Sequence, residues 1–218
     1  MLPQLDVYHD GEPRSAAMNM AVDEALLEFA RVPALRFYRW RRPSVSFGYF
    51  GEFATIAHEQ STRELVRRWT GGGIVFHGDD LTYSIVLPAA EAKAFGSSRA
   101  VYAKIHNAIC IALAGAVNVE LATVAAPKVS EACFANPVEA DVIANGRKIA
   151  GAAQRRARAG LLHQGSIQHE SLPTDFADTF AGQLCGDCLR KSLPATLLRR
   201  AEEIAQVRYG TQAWLRRR

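Results

Sequence analysis

The stretch RRWTGGGIVFHGDDLTYSIVLP, residues 67–88, decides how the chain is read. Three consecutive glycines cannot continue a helix. Without Cβ atoms, Gly71, Gly72 and Gly73 let backbone N–H groups approach a ligand closely. Such groups stabilise a carboxylate, a phosphate or an oxyanion, and Arg67 and Arg68 beside them add positive charge. No Gly-Lys-Ser/Thr follows, so this is not a phosphate-binding P-loop. A strand follows rather than a helix, which also removes the dinucleotide fingerprint. After the polar turn Gly78-Asp79-Asp80, Leu81, Tyr83, Ile85 and Leu87 alternate with Thr82, Ser84 and Val86, the pattern of a strand with one buried face. The glycine loop is therefore expected between the end of a short helix, His58 to Val66, and a hairpin-like pair of strands.

Working outward, Met18, Val22, Leu26 and Phe29 make one apolar helix face, with Asn19, Asp23, Glu24 and Glu28 on the other side. ALRFYRW (34–40) and SVSFGYF (44–50) read as strands split at Arg42-Pro43. A long helix covers SSRAVYAKIHNAICIALAGAV (97–117), with Ser97 or Ser98 as its cap. ADVIANGRKIAGAAQ (140–154) reads as strand, Asn-Gly turn, strand, because Asn-Gly supplies the positive φ angles of a tight hairpin. A further strand lies near GLLHQGSI (160–167). Phe176 and Phe180 mark a short helix after Pro173. Leu197, Leu198, Ala201, Ile204 and Ala205 mark a last one, which Gly210 interrupts. Helices and strands do not alternate regularly, which argues against a doubly wound parallel sheet. The expected fold class is α+β: a mixed, mainly antiparallel sheet with flanking helices.

The 218 residues suit one large domain, or a domain with a small appendage. Apolar residues make up 49% and charged residues 22%, enough for a real core. No apolar run approaches a membrane span, and MLPQLDVYHD does not read as a signal peptide, so a cytoplasmic address is expected. The net charge of +4 (26 basic, 22 acidic) comes with clusters at Arg36–Arg42, Arg67–Arg68, Arg147–Arg158 and Arg216–Arg218. The clusters read either as solvated surface or as docking for an acidic partner. No zinc finger, aromatic RNA-binding signature or basic-region heptad accompanies them, and small acidic proteins fit as well as nucleic acid. Cys110 sits in an apolar run and reads as packing. Cys185-Gly-Asp-Cys188 is a single CxxC with no second pair to complete a zinc site. Cys133 remains. In ACFANP (132–137) a thiol is either a small loop hydrophobe or, beside an ammonium such as Lys148, a nucleophile, and residue type alone leaves both open.

Four segments in order resemble the biotin/lipoate protein ligase family, whose catalytic domain is class II aminoacyl-tRNA synthetase-like. They are MNMAVDEALL (18–27), LRFYRWRRPSVSFGYF (35–50), RRWTGGGIVFHGDDLTYS (67–84) and GRKIAGAAQRR (146–156). The resemblance implies a single catalytic domain over residues 1–218, without the C-terminal accessory domain of typical ligases. Within the family, ATP-dependent lipoate ligases, octanoyltransferases and lipoyl amidotransferases compete, with a non-catalytic acyl- or lipoyl-domain-binding protein as a further alternative. ACFANP followed by GRKIAGAAQ is most similar to the LipM-type octanoyltransferases. That implies a thioester on Cys133 and an activating Lys148. It implies substrate contacts from Arg67, Arg68, Thr70, Gly71, Gly72, Gly73, His77, Ser84 and Gly151, and no metal. The donor implied is octanoyl-acyl carrier protein. The acceptor implied is a lysine of the glycine cleavage H protein or of a 2-oxoacid dehydrogenase lipoyl domain. No cofactor is needed on this reading; ATP and Mg belong to the ligase and not to the transferase. Neither nucleic acid nor membrane takes part. Val45, Ile74 and Phe76 are the candidates for an apolar slot around the acyl tail. Two departures stand out. Gly78 follows His77 where the family usually has Asp, and His163-Gln164 stands where LipM-like chains more often read Gln-His. The swap is expected to turn the imidazole to the other strand face, so His163 is given no catalytic role.

Overall fold

The computed structural model describes residues 1–125, 133–168 and 171–217, with Cys133 described by its backbone alone. Strand β1 (Leu5–His9) leads to helix α1 (Ala16–Phe29). Ser15 caps α1 by accepting a hydrogen bond from the Met18 N–H at 3.3 Å. Strands β2 (Ala34–Tyr38) and β3 (Ser44–Phe47) follow, divided at Arg42-Pro43. The helix expected over His58 to Val66 is not formed. Two 3₁₀ turns (Phe53–Thr55 and Ala57–Ser61) lead instead into strand β4 (Glu64–Arg67). The backbone of β4 pairs in parallel with β3, so tertiary pairing takes the hydrogen bonds a helix would have used.

After the glycine loop come β5 (Val75–His77) and β6 (Leu81–Pro88), then helices α2 (Ala89–Phe95) and α3 (Ser98–Leu113). Ser97 caps α3 through the Ala100 N–H at 3.2 Å. Next are β7 (Val119–Leu121), a one-turn 3₁₀ segment (Cys133–Ala135), β8 (Val142–Ala144), β9 (Arg147–Ala157) and β10 (Gly160–Ile167). Asn145 and Gly146 turn β8 into β9 with φ of 50° and 73°, the hairpin read from Asn-Gly. Helix α4 (Phe176–Leu184), strand β11 (Cys188–Lys191), helix α5 (Ala195–Ile204), a π-turn (Ala205–Tyr209) and, after Gly210, helix α6 (Gln212–Leu215) complete the order.

An eight-stranded sheet runs β11-β1-β2-β6-β10-β9-β8-β7, and a three-stranded sheet runs β4-β3-β5. Strand β1 pairs in parallel with β11 and β2. From β2 through β6, β10, β9 and β8 to β7 the pairing is antiparallel. This is the mixed, mainly antiparallel α+β arrangement expected. The hairpin-like pair expected after the glycine loop is absent: β5 pairs with β3 in the small sheet, whereas β6 is central in the large one.

Two cores flank the large sheet. On one face α3 and α4 pack on Leu35, Phe37, Tyr83, Ile85 and Leu161. On the other, α1 and α5 cover Ala34, Tyr38, Val86 and Leu162. Strand β6 is thus buried on both faces, not one, with Thr82, Ser84 and Val86 all at or below 4% exposure. The polar side of α1 is largely buried as well. Asn19 and Asp23 are fully covered, while Phe29 is exposed. The reason is Arg36, itself fully buried on β2. It donates to Asp23 Oδ1 at 2.8 Å, Asn19 Oδ1 at 2.8 Å and Asp10 Oδ2 at 2.7 Å. A buried guanidinium needs such partners, and α1 supplies two of them.

Candidate active site

The small sheet lies over the large one and leaves a narrow slot between them, with about 30 Å³ open to a water-sized sphere, well below the volume of a preformed ligand pocket. Ser46, Arg68, Gly72, Val75 and His77 form one wall. The other crosses the large sheet: Gly151 to Ala153 on β9, Gln164 to Ser166 on β10, Thr82 on β6, then Tyr38 and Trp40, with Met20 from α1. From β9 to β2 is three strand spacings, roughly 14 Å. Strand alternation explains why the tail-slot candidates fall elsewhere. Val75 and Ser46 face the slot, so Val45, Ile74 and their neighbour Phe47 pack on the opposite side against Ile56 and Leu215. Phe76 lies outside the slot lining and is 41% exposed.

The same alternation separates the two arginines at the start of the glycine loop. Arg68 faces the slot, donating to Ser46 Oγ at 2.7 Å, Gly73 O at 2.8 Å and Gly71 O at 3.0 Å. Arg67 points the other way, over the Phe47 ring at 4.5 Å. Its guanidinium donates to five backbone carbonyls, those of Tyr49, Gly51, Trp214, Leu215 and Arg217. Arg67 therefore corrects the expectation of a substrate contact: it is a clamp on the C-terminal segment. Ser84 is a second correction. Its hydroxyl donates to Asp23 Oδ1 at 2.7 Å beneath α1, and it does not line the slot.

The glycine loop is held from both ends. Thr70 Oγ1 donates to Gln164 Oε1 at 2.8 Å, and Gln164 Nε2 donates to Asp23 Oδ2 at 2.8 Å. Gly72 has φ 84° and passes over Ala153, where a Cβ would come within 3.2 Å of the Ala153 Cβ. Among the described residues, no hydrogen bond engages the N–H groups of Gly71, Gly72 or Gly73. His163 is on the far face of β10, bonded to Tyr83 and Gln154 and close to His106, while Gln164 takes the slot side.

Lys148 adjoins Gly151 at the β9 end of the slot and itself lines a separate, open cavity of about 700 Å³ together with Phe134. The register of β8 with β9 jumps from Val142↔Ala150 to Ile143↔Lys148, so Ile149 is an extra residue. Ile149 and Ala150 consequently both enter the α3-side core. This bulge re-aims Lys148 so that it shares a face with Gly151. The Lys148 side chain occupies the space a Cβ on Gly151 would need, with Cε 2.3 Å and Nζ 2.6 Å from that position. The ammonium pairs with Asp141 Oδ2 at 2.8 Å, and both side chains are essentially buried. Asp141 also accepts from the Tyr102 hydroxyl and from the Val138 N–H. The Lys148 ammonium lies 5.4 Å from the centre of the Phe134 ring. Cys133 precedes that residue; its side chain lies outside the described residues.

The structure thus brings Arg68, Gly72, His77 and Gly151 onto one slot, with Thr70 behind them and Lys148 at its end. Sequence reading missed Asp141, Ser46, Asp80, Gln164, Met20, Tyr38 and Trp40. Asp141 had a signal, a carboxylate opening the strand before Asn145-Gly146, opposite the motif lysine across the hairpin. Among the described residues no group of three or more His, Cys, Asp or Glu side chains is placed to hold a metal ion.

Residues 15–192 match the lipoyl protein ligase A/B catalytic domain. The chain belongs to that family. Octanoyltransferase LipM of Oceanobacillus iheyensis is 41% identical over 171 residues, 73% of this chain and 62% of that protein. Its namesake in Carboxydothermus hydrogenoformans is 38% identical over 164 residues, 70% and 61% of the two chains. The chain spans about three fifths of the length of these relatives. Among solved structures of the lipoyl ligase fold, a T. acidophilum protein with bound lipoic acid superposes with a TM-score of 0.76 at 20% identity, covering 98% of each chain. Lipoate-protein ligase A bound with ATP gives 0.72 at 21% identity, covering 99% of this chain and 98% of that one. These two likenesses establish the fold.

Proposed function

We propose that this lipoyl ligase-family domain is an octanoyltransferase that carries the acyl group as a thioester on Cys133. The observation that carries the reading is the Lys148 ammonium, set against Phe134 of the Cys133-Phe134 segment and adjoining Gly151 of the slot. C–C bonds of about 1.5 Å advance an extended chain about 1.3 Å per carbon, so eight carbons span roughly 10 Å. With the carbonyl beside Lys148, a tail of that length runs along the slot and ends short of Tyr38 and Trp40, and the narrow slot must widen to admit it. A thioester donor already holds an activated acyl group, so the cycle runs without ATP. The Cys133 thiolate, favoured by the nearby ammonium, attacks octanoyl-acyl carrier protein and expels its pantetheine thiol. A lysine of an acceptor lipoyl domain then takes the acyl group as an amide. The unengaged glycine-loop N–H groups are donors for the oxyanion. No helix among the described residues is long and apolar enough to cross a membrane, consistent with carrier-protein partners in the same aqueous compartment.

Mass spectrometry of the intact protein after mixing with octanoyl-acyl carrier protein, without ATP, tests this. The expected result is one octanoyl adduct, removed by hydroxylamine and absent from Cys133→Ala. No adduct on folded protein, or an adduct that forms only with ATP and free acid, replaces the transferase reading with a ligase one.

Gly151→Ala probes the geometry at Lys148. The added methyl occupies the path of Cε and Nζ, and a displacement of about 1 Å at a reacting group costs on the order of a hundredfold. Adduct formation should slow by about that factor, and the urea midpoint should fall less than in Asp141→Ala, because both charges of the Lys148–Asp141 pair remain. An unchanged rate places Lys148 outside the chemistry.

A further inference from the structure

Side chains that the thioester route does not use stand in line on the slot wall. Ser46 Oγ is 2.7 Å from His77 Nε2, and His77 Nδ1 is 2.8 Å from Asp80 Oδ2. Asp80 also accepts from Thr82 Oγ1 at 2.9 Å, Ser166 Oγ at 2.7 Å and the Gly78 N–H at 3.1 Å. A carboxylate has no proton to give, so the imidazole carries its proton on Nδ1 and turns a lone pair toward Ser46. Arg68 Nη1 donates to Ser46 Oγ at 2.7 Å, which directs the hydroxyl proton to His77. One lone pair of Oγ takes Arg68; the other is free to attack. The ring is held by stacking on Trp40, with centroids 4.0 Å apart and an interplanar angle of 21°. Burial holds the His77 imidazole below its ordinary range, Asp80 opposes this and Arg68 adds to it. The ring is neutral near pH 7 and able to accept a proton. Nucleophile, base and orienting carboxylate are thus in hydrogen-bond order, with a cation beside the nucleophile.

We propose that Ser46, His77 and Asp80 form a second acyl-accepting site, which hydrolyses esters of short carboxylic acids bound in the slot. The site goes beyond the thioester route and stands without it. Ser46 Oγ bonds to the acyl carbon as its proton passes to His77 Nε2. The bond to the leaving alcohol breaks, and the alcohol takes that proton. Water then adds to the acyl carbon, giving a proton to His77. The bond to Ser46 breaks, Ser46 recovers the proton, and the free acid departs. Position sets the chain length. His77 stacks on Trp40, and Trp40 Nε1 donates to Thr82 of β6 at 2.7 Å. The triad therefore lies at the β6 end, two strands from Gly151. Beyond it remains about one strand spacing, roughly 5 Å, enough for three or four carbons at about 1.3 Å each. An octanoyl carbonyl held near Lys148 passes only its tail across Ser46 and is spared.

The test starts from Cys133→Ala protein, which removes the thioester route, with p-nitrophenyl butyrate as substrate. Hydrolysis above the solvent rate is expected, and adding Ser46→Ala should lower it at least a hundredfold. A fluorophosphonate probe on the unaltered protein should phosphonylate Ser46, located by peptide mass; this decides the matter if the Ser46 variant does not fold. Equal hydrolysis with and without Ser46, no hydrolysis in the Cys133→Ala protein, or no label on Ser46 overturns the proposal. None of these outcomes alters the octanoyl adduct expected on Cys133, so the two readings fail separately.

Discussion

Asp141→Ala is expected to destabilise the protein by about 3–5 kcal/mol, the cost of leaving one member of a buried ion pair without its partner. The pair is dry: the Lys148 side chain is 1% exposed and that of Asp141 is fully buried. Removing the carboxylate takes the Asp141 partner from a buried ammonium and also removes the acceptor of the Tyr102 hydroxyl and the Val138 N–H. The double variant Asp141→Leu with Lys148→Met removes both charges, and apolar replacement of a whole buried pair is often neutral. It should recover most of the lost stability and none of the octanoyl adduct formation. Urea unfolding of the two single variants and the double one gives the coupling energy directly. A loss below about 1 kcal/mol for Asp141→Ala would mean that the ammonium finds water, and that the site at Lys148 is more open than its burial indicates.

The second large effect belongs to Arg67. Replacing it by Met removes the guanidinium donors to the carbonyls of Tyr49, Gly51, Trp214, Leu215 and Arg217, of which Trp214 O keeps the Arg217 N–H at 3.3 Å. A stranded buried acceptor costs about 1–3 kcal/mol, and those nearer the surface regain water, so the net loss should be about 3–4 kcal/mol. Lys has three donors on a point-like charge and cannot span five acceptors as a planar guanidinium does, so Arg67→Lys should recover less than half. Because Trp214 and Leu215 anchor the last turn, cleavage by trypsin in the segment 208–217 should accelerate along with the fall in midpoint. Unfolding midpoint and cleavage rate together check this. Unchanged cleavage would show that the C-terminal turn is held by Trp214 packing alone.

Arg67 and Arg68 illustrate what was and was not legible in the residues. Both were candidate ligand contacts, being cations next to three glycines. Recognising β4 as a strand separates them, since adjacent strand residues face opposite sides. The segment instead read as a helix, because its pairing partner β3 lies 20 residues earlier and leaves no local mark. The misplaced tail slot has the same origin. Choosing Ile74 and Phe76 over Val75 and His77 is a one-residue error of facing, which only the register with β3 corrects. Nothing local to Asn19 and Asp23 marks them as buried; Arg36, across the core on β2, is what they partner.

By itself the sequence determined the α+β class, a cap at Ser97 or Ser98, the Asn145-Gly146 hairpin, the glycine loop that is neither a P-loop nor a dinucleotide turn, and the family. Each of these is set by residues within a few positions of one another or by segments in a fixed order. Tertiary structure alone decided that Arg68 and not Arg67 meets the slot and that a bulge at Ile149 aims Lys148 over Gly151. It also decided that Asp141 holds the ammonium, and that Ser46, His77 and Asp80 come into line. Those arrangements depend on strand register and on which sheet a strand joins. Both are fixed by burial summed over distant segments, a quantity no local window of residues contains.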